Sequence, residues 1–132
     1  MSKTTAKVTW KSEPDEHDYP AATAYLSLLA DAARTDDLVG RLKTAPLDYQ
    51  KAKDILRAAT LPLLAEDDPH VASDLKKIAQ HTDLSPVLLV RGDLAGGAPL
   101  QIADGYHRVC ASYHIDENTD IPCHIVDRGE GR

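Results

Sequence analysis

One stretch in the last third of the chain, residues 104–108, constrains the fold most, because one type of element gives way to another there. Its residues are Asp104, Gly105, Tyr106, His107 and Arg108. A strand-like run, 100–103, precedes it, and a helix-like run, 109–114, follows it. A glycine at such a junction tolerates unusual backbone angles and lets a ligand approach the main chain. The junction predicts a fold that mixes sheet and helix.

The same turn carries side chains suited to phosphate. The first amides of a helix have no partners within the helix and lie at its positive dipole end, which favours anions. Arg108 offers a planar, permanently charged fork, and His107 offers a donor whose charge changes near neutral pH. Asp104 offers a base or a carboxylate for a metal. We predict a phosphate-handling site in which the Arg108 side chain faces the ligand rather than the core.

A purely structural interpretation of the turn stays open beside this one. Asp104 is a residue type that caps helices. Arg108 would then pair with a surface acid, and His107 would be solvated. Helix-start signals of this kind are common in sequences.

Apolar periodicity and turn residues predict the other elements. A first helix is expected to begin at Pro20, which suits a first helical turn. Its inward face would hold the apolar residues with helical spacing, namely Ala22, Tyr25, Leu26 and Leu29. The other expected elements are a short strand at 7–10, helices at 36–44 and 67–80, a short helix or turn at 47–53, a buried strand at 86–91 and a hairpin loop at 92–99.

Three segments follow one another in a set order between residues 53 and 127. They are 54–57 followed by Leu61-Pro62, then 84–93, then 102–108 followed by 121–126, which opens on an Ile-Pro pair. In order and spacing they resemble the superfamily shared by ParB N-terminal domains, sulfiredoxins and free-serine kinases. The resemblance implies an α+β fold in which helices flank a small mixed sheet.

The resemblance also implies roles for particular residues. Residues 54–57 would be the family's opening strand, in which Arg57 contacts nucleotide, and 121–126 would be its closing strand. At the turn, the phosphate-binding residues would be Gly105, Tyr106, His107 and Arg108. In the kinase branch, Asp104 and His107 would be catalytic.

Departures from the family patterns separate its branches. Tyr106 stands where sulfiredoxins carry their catalytic cysteine, so sulfinic-acid reduction is not expected. The usual ParB turn and the helix-turn-helix that follows it have no counterpart here. The Asp-Gly-x-His-Arg form is closest to the free-serine kinases. Their further catalytic glutamate has only a loose candidate in Glu66.

The chain is expected to have two parts that pack as one unit. Residues 1–49 form a helical extension without a counterpart in the superfamily, and 50–128 form the superfamily domain. We expect the extension to pack on the domain, because no Gly/Ser- or Pro-rich linker separates the two. A detachable interaction module is the alternative.

Composition excludes several classes of function. The formal net charge of -6 argues against direct binding to DNA, which needs a concentrated basic surface. No apolar run approaches the ~20 residues that span a bilayer, and the N-terminus lacks a signal-peptide core. Two cysteines do not make a disulfide framework, so a cytoplasmic protein is expected. Zinc is not expected, since Cys123 and His124 are adjacent on a strand and point to opposite faces.

These observations predict a protein that binds a nucleotide (ATP, ADP or CTP) or phosphate at 104–108, with Mg²⁺ accompanying a nucleotide. One alternative is a small kinase-like phosphotransferase that acts on a hydroxyl acceptor. Another is a scaffold without a ligand. A homodimer or a protein partner contacting the N-terminal helices is a further expectation.

Overall fold

Five helices and four strands are present in a computed structural model that describes residues 7–129. In chain order they are α1 (Asp18–Leu26), α2 (Ala32–Thr44), β1 (Leu47–Lys51), α3 (Ala52–Ala59), α4 (Pro69–Ala79), β2 (Val87–Val90), β3 (Gln101–Asp104), α5 (Tyr106–Ile115) and β4 (Asp120–Val126). The α+β class predicted from the sequence is confirmed. Within residues 7–129, no helix has the length and apolar character needed to cross a membrane.

The four strands form one mixed sheet in the order β1-β4-β2-β3. The central strands β2 and β4 are parallel, while β1 and β3 run antiparallel to their neighbours. All four residues of β2 are buried. Helices cover both faces of the sheet here, so this strand is apolar throughout instead of alternating. The predicted buried strand, hairpin and closing strand are confirmed.

Each face of the sheet packs against its own helices. Leu89 and Val87 lie in a core with residues of α3, α4 and α5, including Ile55, Ile78 and Val109. On the other face, Leu88 and Val90 lie in a second core with residues of α1 and α2, including Leu26 and Leu42. The alternation along β2 follows from the two-residue period of a strand. The N-terminal helices therefore pack on the sheet, as expected, and form its second helical layer.

The region around residue 50 differs from the sequence prediction. The expected strand at 54–57 is wrong, because these residues lie within α3, and the expected helix or turn at 47–53 begins with β1. Ala52, Ile55, Leu56 and Ala59 are the buried residues of α3. Their spacing is helical, which explains the outcome. The proposed boundary between residues 49 and 50 falls inside β1, which pairs with β4.

The other boundaries shift by a few residues. Helix α2 begins at Ala32 rather than 36, because the Asp31 side chain accepts a hydrogen bond from the Arg34 amide and caps the helix. Helix α1 spans Asp18–Leu26, so Leu29 lies beyond it and is exposed. The expected strand at 7–10 is reduced to one bridge between Trp10 and Leu84.

Candidate functional site

The predicted strand-to-helix turn is present. Strand β3 ends at Asp104, Gly105 has φ 115° and ψ 14°, and α5 begins at Tyr106. A Cβ atom at Gly105 would lie 2.8 Å from Cβ of Val87 in β2. Glycine is therefore needed for two structural reasons, its positive φ and the closeness of β2.

The N-terminus of α5 differs from those of α2 and α4. In α4, the Asp68 carboxylate accepts hydrogen bonds from the amides of His70 and Val71. In α5, Gly105 occupies the capping position and has no side chain to offer. The first amides of a helix have no acceptor within the helix. Helix α5 thus begins with donors that no capping side chain takes.

Asp104 does not cap α5, because its carboxylate is paired with Arg108. Arg108 Nη2 donates to Asp104 Oδ2 at 3.0 Å and to the carbonyl oxygen of Pro86 at 3.3 Å. The Arg108 side chain is only 15% exposed. The side chain lies neither in the core nor free in solvent, and its facing a ligand stays a prediction. Nη2 still lies 3.0 Å from the Cβ position of Gly105, so its charge is directly beside the turn.

A second carboxylate reaches Arg108 from the N-terminal layer. Asp18, in the first turn of α1, is 1% exposed, and its Oδ2 lies 3.8 Å from Arg108 Nη2. The same oxygen accepts hydrogen bonds from Ser85 Oγ at 2.7 Å and from the Asp15 amide at 3.0 Å. Burial raises the pKa of the Asp104 carboxyl against the lowering effect of Arg108, and the neighbouring Asp18 raises it further.

Two histidines meet where the N-termini of α4 and α5 come together. The ring centroids of His107 and His70 are 4.7 Å apart, and the Tyr106 ring is 5.7 Å from His107. The sequence did not identify His70 as a site residue. The Asp-Pro start of α4 places it in a first helical turn, but nothing local shows which other helix start lies beside it. Packing of α4 on α5 supplies that information.

Asp74 adds a third acid to this region. It lies one turn after His70 on α4 and is buried, with its carboxylate 4.0 Å from Lys77 Nζ. Burial raises the pKa of Asp74, while the charges of Lys77, Arg108 and the two histidines lower it. Asp74 therefore lies close enough to Arg108 and to both histidines for their charges to act on its carboxyl group.

The Tyr106 hydroxyl is occupied by a structural hydrogen bond, so it is not available to a ligand at the turn. The hydroxyl donates to the carbonyl oxygen of Pro62 at 2.6 Å and fixes the segment after α3 against α5. Burial raises the pKa of this phenol. The part of Tyr106 that remains at the turn is its backbone amide.

Arg57 and Glu66 lie away from the turn. Arg57 is 81% exposed, pairs with Asp54 at 3.4 Å, and shares a surface recess with Tyr113 and Glu117. Glu66 lies 3.6 Å from His114 Nδ1. Tyr113 and His114 are about two helical turns from the start of α5, on the order of 10 Å. The structure brings together Asp104, Gly105, His107 and Arg108, but neither Arg57 nor Glu66 joins them.

The cysteine and histidine pair on α5 has a structural role. The Leu64 amide donates to Cys110 Sγ at 3.5 Å, and His114 Nε2 lies 2.7 Å from the Leu64 carbonyl oxygen. The two side chains thus hold one backbone unit of the segment after α3. Cys123 lies in the core, where burial raises the pKa of its thiol to about 12.

One group of described residues has the donor atoms of a metal site. Ligand atoms of Asp15, His17 and Asp18 lie within 4.8 Å of one another. Asp15 already accepts from Lys11 Nζ at 2.6 Å, and Asp18 accepts from Ser85. These acids are satisfied by the protein itself. Asp104 lies one residue before the capping position of the uncapped helix.

A large apolar cavity lies at the opposite end of the sheet from the turn. It measures about 510 Å³ and lies where β2 and β4 end, beside α3. Its apolar lining includes Ile55, Leu89, Leu100 and Ile125.

No family model matches the chain, and searches of curated proteins and of solved structures found no similar protein. The superfamily resemblance therefore stays a prediction from the sequence.

Proposed function

We propose that this protein binds the phosphate group of a nucleotide at the turn formed by residues 104–108. The observation that carries the proposal is the start of α5. It has no capping side chain, and its own His107 lies near His70 of α4, beside the half-buried Arg108. Helix starts with open amides bind anions, and an adjacent cation strengthens such hydrogen bonds.

Each residue has a distinct role in this proposal. The amides of Tyr106 and His107 would donate to phosphate oxygens. The rings of His107 and His70 would add donors and, when protonated, positive charge. Arg108 would contribute charge from beneath the turn, held in place by Asp104. Arg57 has no part in the site, because it lies beside the far end of α5.

The ligand class follows from the donors. ATP, ADP and CTP share the phosphate groups that these donors fit. Asp104 is the residue that would hold a magnesium ion arriving with the nucleotide, since carboxylate and phosphate oxygens are its preferred ligands. The Asp104 side chain is 17% exposed and lies one residue before the capping position of α5, where such a cation would meet the phosphate.

A phosphotransferase is the second candidate, and Asp104 is the observation that favours it. Burial raises the pKa of its carboxyl, which makes the ionised form a stronger base. Asp104 would take the proton of an acceptor hydroxyl while the oxygen bonds to the terminal phosphorus and the bond to the leaving diphosphate breaks. Glu66 does not supply a second carboxylate at the turn, because it pairs with His114. Binding therefore ranks first.

The proposal is tested by thermal unfolding in the presence of ATP, ADP and CTP, each with and without magnesium. A ligand that binds the folded protein raises its melting temperature. His107→Ala should weaken binding by about 1.5–3 kcal/mol, the contribution of a hydrogen bond to a charged group. Arg57→Ala is the matched control and should behave like the parent protein. A parent protein that no nucleotide stabilises would overturn the proposal.

A further inference from the structure

Asp18 is an acidic side chain that the N-terminal layer delivers to the proposed phosphate site. It is buried at the start of α1, and α1 packs against β3, the strand that ends at the turn. Its carboxylate approaches the same guanidinium nitrogen, Arg108 Nη2, that bonds Asp104. Helix α1 and strand β3, which are distant in sequence, therefore each place a carboxylate beside the Arg108 guanidinium.

A carboxylate and a phosphate are alternative partners for a guanidinium, because both offer oxygen acceptors with negative charge. A phosphate at the start of α5 would meet the Arg108 charge already balanced by Asp18 and Asp104. It would also be repelled by both carboxylates. The affinity for phosphate would be higher if one of the two carboxylates moved away from Arg108.

Asp18 is the carboxylate better suited to withdraw. Its contact with Arg108 spans 3.8 Å, whereas Asp104 accepts a hydrogen bond from the same nitrogen at 3.0 Å. Asp18 Oδ2 accepts hydrogen bonds from Ser85 Oγ and the Asp15 amide. Its Oδ1 lies 3.5 Å from His17 Nε2, and none of these three residues belongs to the turn. Asp104 is fixed at the end of β3, one residue before the turn.

We propose that Asp18 is a built-in competitor of the phosphate ligand, held against Arg108 by α1 and displaced when the ligand binds. The proposal rests on the phosphate site described above and adds its regulation. By linkage, ligand binding must weaken the docking of the start of α1 by the same free energy by which that docking weakens ligand binding. The N-terminal layer then sets the affinity of the site.

Three variants separate displacement from a simple change in charge. Asp18→Asn keeps the shape and an acceptor for Ser85 but removes the charge. Ser85→Ala keeps the charge but removes the hydrogen bond that holds Asp18 in place. Asp37→Asn removes one negative charge from an exposed position on α2, where Asp37 pairs with Arg41 at 3.0 Å. It is the control for net charge.

The measurement is calorimetric titration of the parent protein and the three variants with magnesium-ADP and with inorganic phosphate. Asp18→Asn should bind at least about five-fold more tightly than the parent protein, the lower end of typical coupling between sites. Ser85→Ala should also bind more tightly, and Asp37→Asn should match the parent protein. Urea unfolding of each variant shows whether it is folded, and Ser85→Ala carries the test if Asp18→Asn is not.

The outcomes distinguish the two proposals. Binding by Asp18→Asn alone would support both in their strongest form. A parent protein that binds, with Asp18→Asn or a folded Ser85→Ala no tighter, would overturn the displacement of Asp18 and leave the phosphate site standing. If neither the parent protein nor any variant binds either probe, the phosphate site itself fails, and its regulation fails with it.

Discussion

At the scale of single residues, Gly105 is constrained by its own backbone and by a neighbouring strand. Its φ of 115° is a conformation that L side chains rarely adopt. The space where a Cβ would lie is filled by Val87 and Arg108. Either constraint alone would favour glycine. The residue would therefore be needed for folding even without a ligand.

Gly105→Ala should destabilise the protein through both constraints. Backbone strain should cost about 1–3 kcal/mol, and overpacking against Val87 should add about 1–3 kcal/mol. Urea unfolding measures the sum. Gly97→Ala is the matched control, because Gly97 has φ 78° and no atom within 4 Å of its Cβ position. Equal losses in the two variants would show that Val87 yields without cost.

Asp74 should make stability depend on pH. Burial raises its pKa in the folded protein above the ordinary value of 3.8. The stability contributed by the raised pKa is fully present below pH 3.8 and is lost as pH rises through the folded pKa. Asp74→Asn should therefore become more stable relative to the parent protein over that range, with a plateau above it.

Unfolding free energies of Asp74→Asn and the parent protein across acidic pH would check this sign. Asp68→Ala provides the opposite case. The hydrogen bond from the Val71 amide lowers the pKa of Asp68, so its contribution is lost as pH falls through the folded pKa. The account would be contradicted if the unfolding free energy of Asp74→Asn fell relative to that of the parent protein as pH rises over this range.

At the scale of elements, the sequence predicted those whose signals are local and strong. The Asp-Pro start of α4, the apolar run of β2 and the glycine before α5 each identified their element. Residues 54–57 were misassigned because the assignment followed the family resemblance, and four residues with adjacent Ile55 and Leu56 fit a strand or a helix equally well. The wider spacing of Ala52, Ile55, Leu56 and Ala59 shows the helical period.

The two faces of α3 lie in opposite environments, one in the core and one in solvent. Ile55 is almost fully buried in the core shared with α5, while Arg57 extends into solvent. Ile55→Ala should therefore cost about 2–5 kcal/mol. Arg57→Ala should change stability by no more than about 0.5 kcal/mol. Urea unfolding of both variants is the measurement, and a costly Arg57→Ala would place that side chain in a different environment.

The candidate site shows the same division between local and distant information. The sequence identified Asp104, Gly105, His107 and Arg108, which are neighbours along the chain. It could not identify Asp18, His70 or Asp74, since these reach the turn only through packing of α1 and α4. The structure places Arg57 away from the turn, and its assignment depended on the misassigned strand.

At the scale of the whole molecule, the N-terminal helices are part of the fold. They cover the face of the sheet that carries Leu88, Val90 and Val126. Just beyond α1, Leu28 and Leu29 are exposed at 80% and 58%. Two exposed leucines favour the predicted contact of the N-terminal helices with a protein partner or a second copy of the chain. That contact stays a prediction.

A fragment that begins at residue 46 should fail to fold cooperatively. Removing α1 and α2 would expose a contiguous apolar face of the sheet, which isolated domains rarely tolerate. The expected signs are a broad thermal transition and binding of an apolar fluorescent dye. Leu42→Ala in the full chain is a milder test and should cost about 2–5 kcal/mol. A sharp transition in the fragment would show that the N-terminal layer is detachable.

The most direct test of the central claim follows the backbone amides of residues 105–108 by NMR while magnesium-ADP is added. The account predicts saturable shifts that are largest for the amides of Tyr106 and His107, accompanied by shifts of the His70 and His107 ring signals. Saturable shifts confined to residues lining the cavity beside α3, such as Ile55 and Leu89, would contradict it. So would amides of 105–108 that do not respond at all.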